Sequence, residues 1–518
     1  MSQRRRAQVI TGAADGYWRM ARQPAMVVLD DAGALASGLA NLHNARQASS
    51  QLLTLVGIQP TVGNVMWEPR VEALDGAALG ATVGDGVAEL ARHSEALGWR
   101  TASAAELREH LDAALRRMRA PCTPHASRIA TLLVPADWRF DGDAEPLAPP
   151  PPPPPPPPFA RMLDEALPPR SLADPDGSSA PGPATTTRAY LARAAEAMAR
   201  GGGALYLSGD ALIEPLLTQL GAVADATGAM LIAINTFARV ERGAGVPRVE
   251  RLPYFPAPAE SFLRRFRTLF LIGAATPVAQ FGYDGHARSS VVPLGMDEYD
   301  LSFADLHGAV AHVASLLPGC APRAAPPDAS PAPRRVLPSG PITASRMCEI
   351  VAALQPEDAI VVDESLTSGG AYWDASSAAP RFTHLTLTGG AIGFGIPCSL
   401  GCAIACPARR VINLQADGSA LYTAAGLWSL AHEKCHVTTV ICQNNSYGIL
   451  RLELAMQRCK VNDATHRGTA LDDPPIDWPA LAAAHRVPAV SVRTCDDFAR
   501  ELAGALVADG PRLIAVQL

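Results

Sequence analysis

Residues 149–158 are an unbroken run of proline, and no other feature of the chain limits its possible folds so strongly. Proline locks φ near about −65° and has no N–H to donate, so such a run cannot enter a helix interior or a central strand. It forms polyproline II, spanning about 30 Å at ~3.1 Å per residue. The segments on either side must therefore build separate cores, and the run reads as a stiff spacer between them rather than as an SH3-type ligand. A second Pro/Ala-rich stretch at 319–338 marks another boundary. The expected organisation is an N-terminal domain over 1–138, a linker over 139–185, a central domain over 186–318, the second linker, and a C-terminal domain over 339–518.

Within each block, short apolar runs alternate with helical patterns. In the first, 25–29, 51–56 and 130–134 read as strands and 34–45 as a helix. In the second, strands at 204–208, 230–234 and 269–272 accompany a helix over 213–226. In the third, strands at 359–362, 411–414 and 437–442 accompany helices over 421–431 and 478–484. Runs this short and this apolar suit parallel strands covered on both faces. The predicted fold class is α/β, with three doubly wound α/β domains.

A 518-residue chain that is 48% hydrophobic and 18% charged has enough apolar material for three cores. Its formal net charge of −6 gives no basis for nucleic acid or an anionic membrane as a partner, and favours a small-molecule enzyme. No apolar run approaches a membrane span, and MSQRRR is not followed by a signal-peptide core, so a cytosolic location is expected, with Arg4 to Arg6 as a basic tail or an alternative start. The ten cysteines include no C-x-x-C pair. Cys398, Cys402 and Cys406 recur at helical spacing and are expected to form a packing stripe rather than a metal site.

The chemistry is concentrated in LQADGSALYTAAGLWSLAHEKCHVTTVICQNNSYGIL. A strand ending at Asp417, a helix beginning just after Ser419 and a second strand ending at Asn444 would place both polar clusters at the carboxyl edge of a parallel sheet, where ligands bind. The 27 residues from Asp417 to Asn444 suffice for one helix and one strand to return the chain to that edge. Asp417 offers a carboxylate, Asn444 a side-chain oxygen and Ser446 a backbone carbonyl, the hard-oxygen set that Mg2+ takes alongside phosphate oxygens. Gly418 and Ser419 offer N–H groups and a hydroxyl at a helix start, suited to a diphosphate.

These residues resemble the cofactor motif of the thiamine-diphosphate enzyme superfamily, specifically the acetolactate synthase and benzoylformate decarboxylase group. Ala416 stands where that motif begins with glycine. LTGGAIGFGIP is similar to the segment that grips the pyrimidine end of the cofactor. The resemblance implies that the Gly390 carbonyl accepts from the 4'-amino group. It also implies that Ile392 wedges between the two rings, so that the cofactor's own 4'-nitrogen can act as the base. VVDESLTSGGAYW resembles the turn where Thr367 and Ser368 add hydroxyls to the diphosphate. TGAADGYWRMARQPAMVVL and GLANLHNARQASSQLLTLVG look like the pyrimidine-binding domain, and VERGAGVPRVERLPYF like the central domain.

The resemblance implies a homodimer or homotetramer acting on a 2-oxo acid, with thiamine diphosphate and Mg2+. It also implies a glutamate on N1' of the aminopyrimidine, at a position that aligns with Ala7, and often a histidine where this chain has Gln59; residues 62–85 look like an insertion. Glyoxylate carboligases resemble this group and work without that carboxylate. The leading expectation is a decarboxylase or carboligase. The alternative is a catalytically weak or silent cofactor-binding paralogue or partner subunit. A nicotinamide or FAD oxidoreductase is disfavoured because no G-x-G-x-x-G follows a strand. His43 and His384 read as structural.

Overall fold

The computed structural model describes residues 7–58, 97–100, 104–119, 128–135, 163, 186–283, 288–321, 336–460 and 462–518. The proline run, Arg4 to Arg6, Gln59 and the 62–85 segment lie outside the described residues.

Three sheets, parallel but for one edge pairing in the third, follow the alternation of apolar runs and helices. The first has the order β1-β2-β4-β3, from Ala25–Leu29 (β1), Leu52–Ile58 (β2), Leu97–Arg100 (β3) and Ile129–Pro135 (β4). Helices Ala7–Ala21 (α1) and Ala32–Gln47 (α2) pack on it, with Asp31 capping α2 through Ala34 N. The second has the order β10-β9-β5-β6-β8, from Gly203–Leu207 (β5), Met230–Ala233 (β6), Glu250–Arg251 (β8), Thr268–Ile272 (β9) and Asp297–Asp300 (β10). Helix Leu216–Thr227 (α3) starts three residues later than the pattern suggested, behind Pro215.

The third sheet has the order β15-β16-β14-β13-β11-β12-β7. Its strands are Ala359–Glu364 (β11), Phe382–Thr386 (β12), Val411–Ala416 (β13), Val437–Gln443 (β14), Ala489–Val492 (β15) and Arg512–Gln517 (β16). The edge strand β7, Val240–Arg242, comes from the central block and pairs antiparallel with β12. The domain boundary drawn from the linkers is therefore crossed by a shared sheet. Helix Gly395–Ala405 (α4) covers one face.

The helix expected over 421–431 is two helices, Asp417–Tyr422 (α5) and Gly426–His432 (α6). The first begins at Asp417 itself, which corrects the start expected after Ser419. Periodicity runs through the break because Ala420, Leu427 and Leu430 all point into the same core.

The first and third units meet along α1 and α4. The two helices approach so closely that a Cβ on Gly401 would lie 1.9 Å from Ala13 O, and one on Gly16 would lie 2.2 Å from Cys398 O. Cys398 and Cys402 sit in this seam, with Cys402 Sγ 3.7 Å from Gly16 O. Small side chains every four residues are what let the backbones touch. Among the described residues, no cluster of three or more His, Cys, Asp or Glu could hold a metal, and no helix is long and apolar enough to cross a membrane.

A fully buried ion pair locks the same seam. Arg19 Nε and Nη2 donate to Asp15 Oδ1 and Oδ2 at 2.9 and 2.7 Å, and Ser50 Oγ donates to Asp15 Oδ1 at 2.5 Å. Arg19 also donates to Thr386 O at 2.8 Å and to Thr388 Oγ1 at 3.0 Å. Desolvating two charges is offset only when their remaining hydrogen-bond capacity is used, as it is here.

His384, on β12, is fully buried among Phe237, Tyr372, Trp373 and Phe382. Its Nε2 lies 3.5 Å from Asp363 Oδ2, a long contact that opposes the effect of burial only in part. Burial pushes its pKa down to about 4 from the ordinary 6.5. The unfolded chain therefore binds the extra proton between those values, and stability falls as pH drops from about 6.5 toward about 4. Asp363, held below its usual 3.8, titrates under that window. His384→Phe is expected to flatten the decline, read as urea midpoints from pH 7 to 4.5. A variant curve parallel to the wild type would refute this.

Candidate active site

In the third sheet the chain lays β12 on one side of β11 and then crosses to lay β13 and β14 on the other. The connections reverse between β11 and β13. Loops leaving neighbouring strands in opposite directions open a crevice outside their carboxyl ends. Glu364 ends β11 and Ser365 to Ser368 follow it, Asp417 to Ser419 follow β13, Asn444 to Ser446 follow β14, and the 387–394 segment follows β12.

Asp417 is fully buried, and its carboxylate ties two of these loops together. Oδ1 accepts from Gly418 N at 2.8 Å and Oδ2 from Asn445 N at 2.7 Å. Burial raises its pKa, and those backbone donors oppose the rise. Asn444 Oδ1 accepts from Ser446 N at 3.0 Å, and Asn445 takes a left-handed φ of 52°, so the chain turns back on itself. Ser446 Oγ donates to Thr469 O at 3.2 Å. Asp417, Asn444 and Ser446 are thus brought together.

Ala416, in place of the family's glycine, has φ −69° and ψ 141°, an extended conformation open to any residue. Alanine there carries no strain. Gly418 is different: a Cβ would lie 2.5 Å from Tyr447 Cε1, so the close approach of that ring requires glycine. Ser419 Oγ is buried without a hydrogen-bond partner. An orphaned hydroxyl in the first turn of α5 is a group awaiting a ligand or water.

Gly390 has φ 76°, and a Cβ there would meet nothing within 4 Å, so one side of this turn borders open space. Ile392 is half-buried and packs against the core under α4. Thr367 is exposed and stands close to Gly448, whose Cβ would lie 3.0 Å from Thr367 Oγ1. Gly448 opens helix Gly448–Met456 (α7), so the β11 and β14 loops meet there. Ser368 is buried behind Thr367, its N–H donating to Ser365 O at 3.1 Å.

Glu364 was not singled out by sequence reasoning, yet it organises the upstream turn. Oε1 accepts from Gly393 N at 2.8 Å and Phe394 N at 3.1 Å, and Oε2 accepts from Gly395 N at 2.6 Å and Gln415 Nε2 at 2.9 Å. It caps α4 from a neighbouring strand. Burial raises its pKa while these donors favour the carboxylate. Acidic residues closing the apolar strand AIVVDE were the available signal, since a charge at a buried strand end needs partners.

The residues present fit thiamine diphosphate. The carboxylate, amide oxygen and carbonyl of the Asp417, Asn444 and Ser446 cluster form a magnesium-type donor set, Ser419 Oγ is unpartnered, and Gly390 faces open space. Fold and crevice together are those of a thiamine pyrophosphate enzyme, thiamine pyrophosphate being another name for thiamine diphosphate. Residues 369–516 match the thiamine pyrophosphate enzyme C-terminal TPP binding domain.

The chain belongs to that family, in the group of acetolactate synthase large subunits. It is 38% identical over 512 residues to the provisionally named acetolactate synthase large subunit IlvX of Mycobacterium tuberculosis, covering 98% of this chain and 89% of that protein. It is 34% identical over 204 residues to the benzoylformate decarboxylase of Pseudomonas aeruginosa, covering 39% of this chain and 38% of that protein. Its fold resembles that of the thiamine diphosphate-dependent 4-hydroxybenzoylformate decarboxylase of Rhodococcus jostii, with a TM-score of 0.73 at 20% identity over 99% of this chain and 90% of that one.

Proposed function

We propose that the chain is a Mg2+- and thiamine diphosphate-dependent 2-oxo acid decarboxylase or carboligase of the acetolactate synthase type. The observation that carries this reading is the Asp417 carboxylate joined to Asn445 N, which ties the β13 and β14 loops together beside the sheet's reversal point. Asp417, the Asn444 side-chain oxygen and the Ser446 carbonyl would hold Mg2+. Gly418, Ser419, Thr367 and Ser368 would hold the diphosphate. The Gly390 carbonyl would accept from the pyrimidine amino group, and Ile392 would support the bend between the rings.

When bound, the cofactor supplies the electron sink that lets CO2 leave a 2-oxo acid. The chain supplies anchorage and orientation, and Ile392 supplies an apolar wall. A homodimer or homotetramer in the cytoplasm completes the proposal, with light scattering as the check on assembly. Calorimetry with thiamine diphosphate, with and without Mg2+, tests the cofactor, and CO2 release from a panel of 2-oxo acids tests the reaction. Absence of binding at millimolar cofactor overturns the reading.

One observation favours the second reading, a weak or silent cofactor-binding paralogue. Among the described residues, the α1 and α2 side chains against the 389–393 turn are Gln8, Asn41, His43 and Asn44, none of them a carboxylate. Binding without CO2 release selects it.

A further inference from the structure

We infer that Asn44, on α2, is a positioning residue that aims the Gly390 carbonyl. Asn44 Oδ1 accepts from Ala391 N at 3.3 Å, and Asn44 Nδ2 donates to Ala391 O at 2.8 Å. One amide thus holds both peptide groups flanking Ala391. The first of them is the peptide that carries the Gly390 carbonyl. A trans peptide is planar with C=O and N–H on opposite sides, so holding the N–H against Asn44 turns the Gly390 oxygen the other way.

The hold is needed because of the residue it acts on. Gly390 sits at φ 76° with no Cβ to restrict it, and its neighbour Gly389 is also glycine, so the turn itself sets no direction for that carbonyl. The contact is close, since a Cβ on Gly389 would lie 2.7 Å from Asn44 Oδ1. Asn44 is held in turn. Its Nδ2 also donates to Asn41 Oδ1 at 3.1 Å, and its backbone carbonyl accepts from Thr388 Oγ1 at 2.6 Å. Thr388 Oγ1 accepts from Arg19, so the clamp is anchored on the buried ion pair of α1. A residue of the N-terminal domain therefore directs an oxygen of the C-terminal one.

This inference rests on the proposed cofactor, whose pyrimidine end the Gly390 carbonyl would meet, whereas the diphosphate end lies at Asp417 and Ser419. Its test separates the two ends. Calorimetry in Mg2+ would compare thiamine diphosphate with inorganic pyrophosphate, which carries no pyrimidine, for the wild type and for Asn44→Ala. The expected result is roughly a tenfold loss of affinity for thiamine diphosphate, with pyrophosphate affinity changed by less than about twofold. Asn44→Ser keeps a hydroxyl in the buried site but cannot reach both sides of Ala391, and it gives the same contrast should the alanine variant fail to fold. Equal losses for both ligands, or no loss for either, overturn the clamp and leave the cofactor reading standing. A wild type that binds thiamine diphosphate no tighter than pyrophosphate overturns both.

Discussion

Asp417→Ala abolishes Mg2+-dependent binding of thiamine diphosphate: this is the largest effect expected of any single substitution. The carboxylate is fully buried and holds Asn445 N at 2.7 Å, so its removal takes away both a negative charge and the tie between the β13 and β14 loops. Losing one partner of a buried, hydrogen-bonded charge pair costs about 2–5 kcal/mol, so affinity in Mg2+ should fall on the order of 100-fold or more. Asp417→Asn separates the two losses. It keeps an oxygen for one backbone N–H but no charge for the metal, so the Asn444 to Ser446 turn should survive while the dependence on Mg2+ disappears. Titrations of both variants in Mg2+ and in chelator are the measurement. Wild-type affinity with undiminished Mg2+ dependence in Asp417→Asn would remove Asp417 from the metal set.

The second large effect is a gain. Ala7→Glu is expected to accelerate exchange of the proton on the thiazolium carbon of bound cofactor by on the order of 10–100-fold, the lower part of the range for a positioned acid–base group. Ala7 is the first residue of α1 and is buried beside Ile10, Ala14 and Trp18. The neighbouring Gln8 amide already borders the cofactor turn, 3.2 Å from where a Cβ on Gly393 would stand. Deuterium exchange in the loaded protein, quenched and read by NMR, measures the rate. An unchanged rate with intact binding would mean that position 7 does not face the cofactor, and the alignment of Ala7 with the family's glutamate would fail.

Much of this site was legible because its chemistry is local in sequence. Asp417, Gly418 and Ser419 follow a strand directly, and Asn444 and Ser446 follow the next one, so parallel pairing of β13 with β14 had to bring them to one edge. Strands were equally legible, since short apolar runs in a parallel sheet have few alternatives. Glu364, Asn44 and Arg19 were not. Each acts on the backbone of a segment remote in sequence, and a backbone N–H or carbonyl leaves no mark on residue identity. Asn44 reaches Ala391 across 347 residues. Strand β7 was missed for a similar reason, because a three-residue run has too little pattern to read and gains its partner β12 only when the two units pack.

The sequence by itself determined the three-part α/β organisation and the residue types that gather at the C-terminal sheet's edge, because periodicity and proline content are properties of the chain alone. Only the tertiary structure decided how the Gly390 turn is held. Two glycines impose no direction on a peptide, and the direction comes from an amide and an ion pair that another domain brings to it.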